Sequence, residues 1–318
     1  MRVRSLTAAA TGAALLLGTA ACGGSSSASS GSSGSVDDKL KGASFTVSSK
    51  DFTESILLGK ITEDLLKAHG ATITDKTDIK GSVNTRTALE NGQVDMYWEY
   101  TGTAWITYQK NTKPISDPKA QYDAVKKADA ANGIAWLDAA PMNDTYAFAT
   151  RAGQADKLNV HSLSDLATLA KSNPAEATFC IESEFSTRDD GFPGMTKAYG
   201  VQVPKDDIKM LYTGVIYTET SKGGTCNFGE VFATDGRISA LKLTVLKDDQ
   251  HFFPNYNAAL TLKQSTLDKY PALAAIIDPV AAKLDDATMT ELNAKVDAQG
   301  LPADQVASDW LKSQGFTK

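Results

Sequence analysis

The sequence is poor in the residues on which most hydrolases and metal centres depend. It holds three histidines, His69, His161 and His251, far apart and without ligand spacing, and three cysteines. A histidine-based metal site is therefore not expected. No G-x-S-x-G elbow occurs, and no histidine sits in a triad-like context. The phosphate-cradling pattern G-x-x-x-x-G-K-[ST] is missing as well. Acid pairs such as Asp189–Asp190 and Asp248–Asp249 are adjacent residues in turns, where carboxylates are usually solvated. There is no long basic block, and 32 Lys+Arg against 38 Asp+Glu leave a net charge of −6. That balance excludes a nucleic-acid partner by electrostatics. No internal repeat is evident. These absences argue against an enzyme, with a secreted hydrolase as the least favoured alternative, and they imply no cofactor.

The N-terminus carries the first positive signal. Arg2 and Arg4 precede the apolar stretch "TAAATGAALLLGTAA", too short to span a bilayer comfortably, so residues 1–21 read as a signal peptide. The stretch ends in "GTAAC", with Cys22 directly after small residues. This resembles a bacterial lipobox, in which the cysteine is lipidated and becomes the first mature residue. "GGSSSASSGSSGS" then supplies a flexible tether within residues 22–42, with a reach on the order of 20 Å by random-coil scaling. A lipid and a tether imply an extracytoplasmic body held at the outer face of the bacterial cell membrane. With Cys22 spent on lipid, Cys180 and Cys226 remain; an exported protein most often pairs them, the alternative being two buried free thiols.

The body starts near Gly42. "ASFTVSS", "ATITDKTDIKG" and "VDMYWEY" read as strands, alternating with the helical stretches "SILLGKITEDLLKAHG" and "NTRTALENGQ". Further strands are expected near Tyr146 to Thr150, in "ATFCIES", in "IKMLYTGV", in "EVFATDG" and in "KLTVLKDD"; the chain turns helical from Ser265 onward. This alternation predicts α/β architecture with mostly parallel sheets. The C-terminal helices have no strands of their own and must pack on an earlier sheet. The expected organisation is one lobe from residues 43–148 and 248–318, with a second lobe, 149–247, inserted between. The crossings then fall near Ala149 and Lys247.

Five segments, "SSKDFTES", "DMYWEYTGTAW", "NDTYAFA", "EFSTRDDGFPGMTKAYG" and "FATDGRISALKLTVLKDDQHFFPNYNAA", resemble the substrate-binding proteins of osmoprotectant ABC importers, the glycine betaine, choline and carnitine binders. The resemblance covers about residues 43–318. It implies a type II periplasmic-binding-protein fold, with two α/β lobes, two crossover strands and an interlobe ligand cleft. It also implies a small quaternary ammonium ligand and an ABC permease as partners, and a body that works as a monomer. A same-fold receptor for another ligand, such as the betaine-like thione ergothioneine, is the alternative.

A quaternary ammonium has no N–H to donate, so a set of aromatic faces suits it better than a carboxylate alone. Cage candidates are Tyr100, Tyr146, Tyr217 and Tyr256, expected to come from both sides of the cleft. Phe252 and Phe253 read as packing residues. For a zwitterion's carboxylate, donors are available at Lys50 and the turn "KDFTE" before a helix, at the hydroxyls of Thr101 and Thr103, and at the Asn143 amide. Glu54 in the cleft would favour a pure cation; its other role is a first-turn charge on the helix dipole. Asp95 and Asp235 read as turn-holding residues, and Arg188 and Arg237 as partners of acids in the inserted lobe. "DMYWEYTGTAW" reads as a buried strand running out into the cleft, with Tyr100 and Thr101 at its exit.

Overall fold

The computed structural model describes residues 38–318. The expected signal peptide 1–21, the expected lipidation site Cys22 and the expected tether up to residue 37 lie outside the described residues. Among the described residues no helix is long and apolar enough to cross a membrane.

In β1 (Ser44–Lys50) Phe45 and Val47 alternate inward. The following helix, Thr53–Ala68, buries Leu57, Leu58, Ile61, Leu65 and Leu66 at helical spacing. It gives way at Gly70, whose φ of +90° is the left-handed geometry that glycine tolerates best. β2 (Thr72–Ile79) and β3 (Met96–Tyr100) pair in parallel with β1 on its two sides. β4 (Ile134–Trp136) completes the strands of the first half.

β5 (Tyr146–Thr150) already belongs to the second sheet, with β6 (Phe179–Ile181), β7 (Ile208–Met210), β8 (Phe228–Phe232) and β9 (Thr244–Val245). β10 (Ala258–Lys263) then returns to the first sheet. The orders are β2-β1-β3-β10-β4 and β7-β6-β8-β5-β9. Each sheet is parallel except for one strand that the returning or entering chain supplies: β10 runs antiparallel to β3 and β4, and β5 antiparallel to β8 and β9. Ala149 sits inside β5, so the chain has changed sheets before that residue. Lys247 follows β9, before the chain returns.

Two strands, β4 and β10, were not expected from the sequence. "IAW" is too short to show alternation, and "AALTLK" is buried at nearly every position, as a central strand covered on both faces must be. "IKMLYTGV" splits differently from expectation: only Ile208–Met210 is strand, and Thr213–Lys222 is helix.

The helical C-terminus packs on the first sheet. Leu273, Ile277, Leu292 and Leu311 share one core with Val47, Leu57, Trp98 and Leu260. A separate core around Phe148, Phe179, Phe192 and Phe228 fills the second half. Cys180 on β6 and Cys226, just before the neighbouring β8, form a disulfide with Cα atoms 5.7 Å apart. Leu40 is buried in the first core, so the folded body begins slightly before Gly42.

Candidate functional site

The topology brings strand ends together. In the first sheet β1 and β3 end at Lys50 and Tyr100, and the antiparallel β10 begins just after Tyr256. In the second sheet β6 and β8 end at Ile181 and Phe232, and the antiparallel β5 begins at Tyr146. These ends face each other across a cleft of about 480 Å³, whose lining includes Lys50, Phe52, Tyr100, Tyr146, Phe232 and Tyr256. Binding at the carboxyl ends of parallel strands is the general habit of open α/β sheets, and the volume is that of a small-molecule site.

Aromatic rings form a continuous belt along this cleft. Phe52 lies 5.7 Å from Tyr100 and 5.2 Å from Phe232, centroid to centroid. Phe232 lies 5.2 Å from Tyr146, and Tyr146 meets Tyr256 edge-on at 5.2 Å. Phe52, Tyr100 and Tyr256 belong to the first lobe; Tyr146 and Phe232 sit on strands of the second. Hydroxyls anchor two of the rings: Tyr100 donates to Glu54 at 3.0 Å and Tyr256 to Asp190 at 2.7 Å. Gly102 makes room for Tyr256, since a Cβ there would come within 2.6 Å of the Tyr256 ring and 2.8 Å of the Asn255 carbonyl oxygen.

Two protein cations stand beside the belt, each already paired. Lys50 Nζ lies 5.0 Å from the Tyr100 centroid and 2.5 Å from Glu99, in a pair almost wholly buried. The same Glu99 accepts from the hydroxyls of Tyr97 and Tyr108. Arg188 lies 5.5 Å from the Tyr146 centroid. Its guanidinium bonds Asp190 twice, Glu184 at 2.8 Å and, across the lobes, Thr103 at 3.2 Å. Burial is the main influence on Arg188, yet the adjacent Asp190 carboxylate outweighs it and holds the guanidinium firmly charged. Carboxylates line the second-lobe wall: Glu182, Glu184 and Glu230. Burial pushes the Glu230 carboxyl up to about 8, although the backbone N–H of Glu182 donates to it.

The structure separates the sequence candidates. Tyr100, Tyr146, Tyr256 and Lys50 line the cleft, and so does Thr103. Tyr217 does not. It is fully buried in the helix Thr213–Lys222, with the Arg237 guanidinium 4.2 Å from its centroid, and its hydroxyl accepts the backbone N–H of Phe232. A helix turns its side chains every 100°, and here Tyr217 faces the sheet behind the cleft. Thr101 is also behind the wall, donating to the Asn255 carbonyl. Asn143 braces the same loop by accepting the Tyr256 N–H at 2.7 Å. Glu54 is buried behind the rings, where it accepts from Tyr100, Thr234 and Asn293. Arg237 pairs with Asp235 and approaches Asp297 at 3.5 Å, which adds a first-lobe partner to the expected one. Asp95 receives the Thr46 N–H, a structural role.

Phe52 and Phe232 were missed as ring donors, as were the acids of the second-lobe wall. The available signal was position: Phe52 follows the end of β1 in "KDFTE", and Phe232 ends β8 in "EVFATDG".

The profile of the family described as the substrate-binding domain of ABC-type glycine betaine transport systems matches residues 43–313. The chain belongs to this family. Among relatives of this glycine betaine transport family, a glycine-betaine-binding protein of Pseudomonas aeruginosa is 39% identical over 84% of this chain and 86% of its own length. A Helicobacter pylori protein described as an ergothioneine transport permease/ergothioneine binding protein is 33% identical over 85% of this chain and 47% of its own. The structure of apo YehZ from Escherichia coli superposes with a TM-score of 0.63 at 33% identity, covering 86% of this chain and 99% of that one. The two-lobed α/β architecture is that of the family's solved members, which are substrate-binding proteins of transport systems.

Proposed function

We propose that this chain is an extracytoplasmic receptor that binds a quaternary ammonium compatible solute, such as glycine betaine, choline or carnitine, and delivers it to an ABC permease. The observation that carries the reading is the ring belt Tyr100–Phe52–Phe232–Tyr146–Tyr256, shared between two lobes around one cleft. Aromatic faces attract a diffuse cation by about 0.5–2 kcal/mol each, so a few of them together with displaced water support micromolar binding. Because the belt is completed only when both lobes contribute, ligand binds the closed form best and shifts the population toward it. The permease reads that closed state. Chemistry on the ligand plays no part, and ATP hydrolysis belongs to the transporter's own subunits.

The lipid-bearing Cys22 and its tether keep the monomeric body near the permease at the outer face of the membrane. A second reading is a receptor for ergothioneine, favoured by the 33% identical relative from Helicobacter pylori.

Titration calorimetry against glycine betaine, choline, carnitine and ergothioneine tests both readings. Saturable binding of at least one, abolished by Tyr146→Ala, is expected. A ligand at one hundred times its dissociation constant raises stability by about 2.7 kcal/mol, so a thermal-shift screen gives the same answer. Absence of binding by all four, from a folded protein, would remove the reading.

A further inference from the structure

The ring belt accounts for one end of the cleft and leaves the second-lobe wall without a role. Glu230 and Phe232 lie two residues apart on β8, so their side chains leave the same face of the strand. Two residues of strand span roughly 7 Å, so the two side chains leave β8 about a short ligand's length apart. The residue is 4% exposed and nevertheless lines the cleft. Its Oε2 accepts the backbone N–H of Glu182 at 2.8 Å, while Oε1 has no hydrogen bond among the described residues. The free oxygen therefore faces the cleft, where a ligand group can take the place of water.

We propose that Glu230 is a specificity-determining residue: its open Oε1 accepts a hydrogen bond from a donor, a hydroxyl or ring N–H, that the ligand carries beside its quaternary nitrogen. The inference rests on the receptor reading above and narrows its ligand class. Once Glu230 is ionised, a trimethylammonium compound with a donor fits, and one whose other end is only a carboxylate meets like charge at this wall.

The surroundings favour a donor. From the turn after β6, Glu182 and Glu184 add negative charge, and Arg188 is engaged by Glu184 and Asp190. β5 contributes Tyr146, and the facing lobe contributes Asp51, Lys80 and Lys50, the last paired with Glu99. Burial, reinforced by Glu182 and Glu184, lifts the Glu230 carboxyl to about 8. A cationic ligand with a donor interacts best with the ionised form, so its affinity rises with pH up to that value, by no more than about tenfold per pH unit, and then levels.

The test compares choline with propyltrimethylammonium, which replaces the hydroxyl by a methyl group, alongside glycine betaine. Calorimetry is run on wild type and Glu230→Gln from about pH 6.5 to about pH 9, since linkage predicts the change in that window. In wild type, choline is expected to bind at least tenfold tighter than propyltrimethylammonium at the alkaline end, with its affinity rising through the window. In Glu230→Gln the pH slope is lost because the amide does not ionise, and the discrimination falls because the Glu182 N–H holds the amide oxygen and leaves the NH2 facing the ligand's donor. Equal binding of the two amines by wild type, or unchanged discrimination in the variant, overturns the inference and leaves the receptor reading intact. If no quaternary amine binds at all, both fall together.

Discussion

The ring of Phe52, beside the first turn of the helix Thr53–Ala68, lies 5.2 Å from the ring of Phe232 at the end of β8 in the other lobe. Neither ring is fully buried, and each touches a tyrosine of its own lobe, Tyr100 or Tyr146. The contact is therefore a link of the belt between the lobes, and it exists only while they are together.

Removing that link should cost affinity more than stability. Phe232→Ala is expected to weaken quaternary-amine binding by about tenfold or more, the equivalent of one lost cation–π face. Calorimetric titration measures the loss, and a denaturant midpoint close to that of wild type shows that the fold persists.

Tyr217 gives the opposite pattern. Its hydroxyl accepts the Phe232 N–H from behind the sheet wall at 2.9 Å. Tyr217→Phe leaves that N–H without its acceptor and should cost about 1–3 kcal/mol of stability. Ligand affinity should change less than for Phe232→Ala; urea denaturation and titration on the same sample separate the two effects.

At Gly102 the two quantities meet. A Cβ would land within 2.6 Å of Tyr256 and 2.8 Å of a backbone oxygen, so Gly102→Ala must displace the ring or the loop that carries it. Overpacking of this kind costs about 1–3 kcal/mol. The expected outcome is weaker ligand binding together with a lowered melting temperature, because the displaced ring belongs to the belt.

Thr234 places a proton question between the lobes. Its hydroxyl lies within hydrogen-bond distance of both Glu54 and Asp144 but has one hydrogen to donate. One carboxyl must then supply a proton of its own. Burial raises both carboxyls above their usual values of 4.5 and 3.8, and for Asp144 the neighbouring Glu54 adds to the effect. The folded state thus holds a proton that the unfolded chain releases above the usual carboxylate range. Stability should fall as pH rises from that range toward the raised values. Asp144→Asn keeps the shape, removes one titrating group and should flatten this slope, as urea midpoints measured across the acid-to-neutral range would show.

Much of the architecture was legible before any coordinates. Alternation in "SFTVSS", helical spacing in "SILLGKITEDLLKAH" and the run of C-terminal helices gave the α/β lobes, because burial on one face leaves a periodic trace in the chain. β10 left no such trace: a strand covered on both faces is apolar throughout, so "AALTLK" carries no period to read.

The site divides along the same line. By itself the sequence determined which residue types were available: many tyrosines and phenylalanines, few histidines, and two cysteines in the body. It also placed Tyr100 and Tyr146 at strand ends, where an α/β sheet collects ligands. Only the tertiary structure decided which rings share a cleft. Tyr217 was as plausible as Tyr146 in the sequence, but a helical turn aims it at the core, whereas the antiparallel entry of β5 aims Tyr146 at the opposite lobe. That facing is set by strand direction and by contacts between residues far apart in the chain, such as Phe52 with Phe232, and local pattern does not encode it.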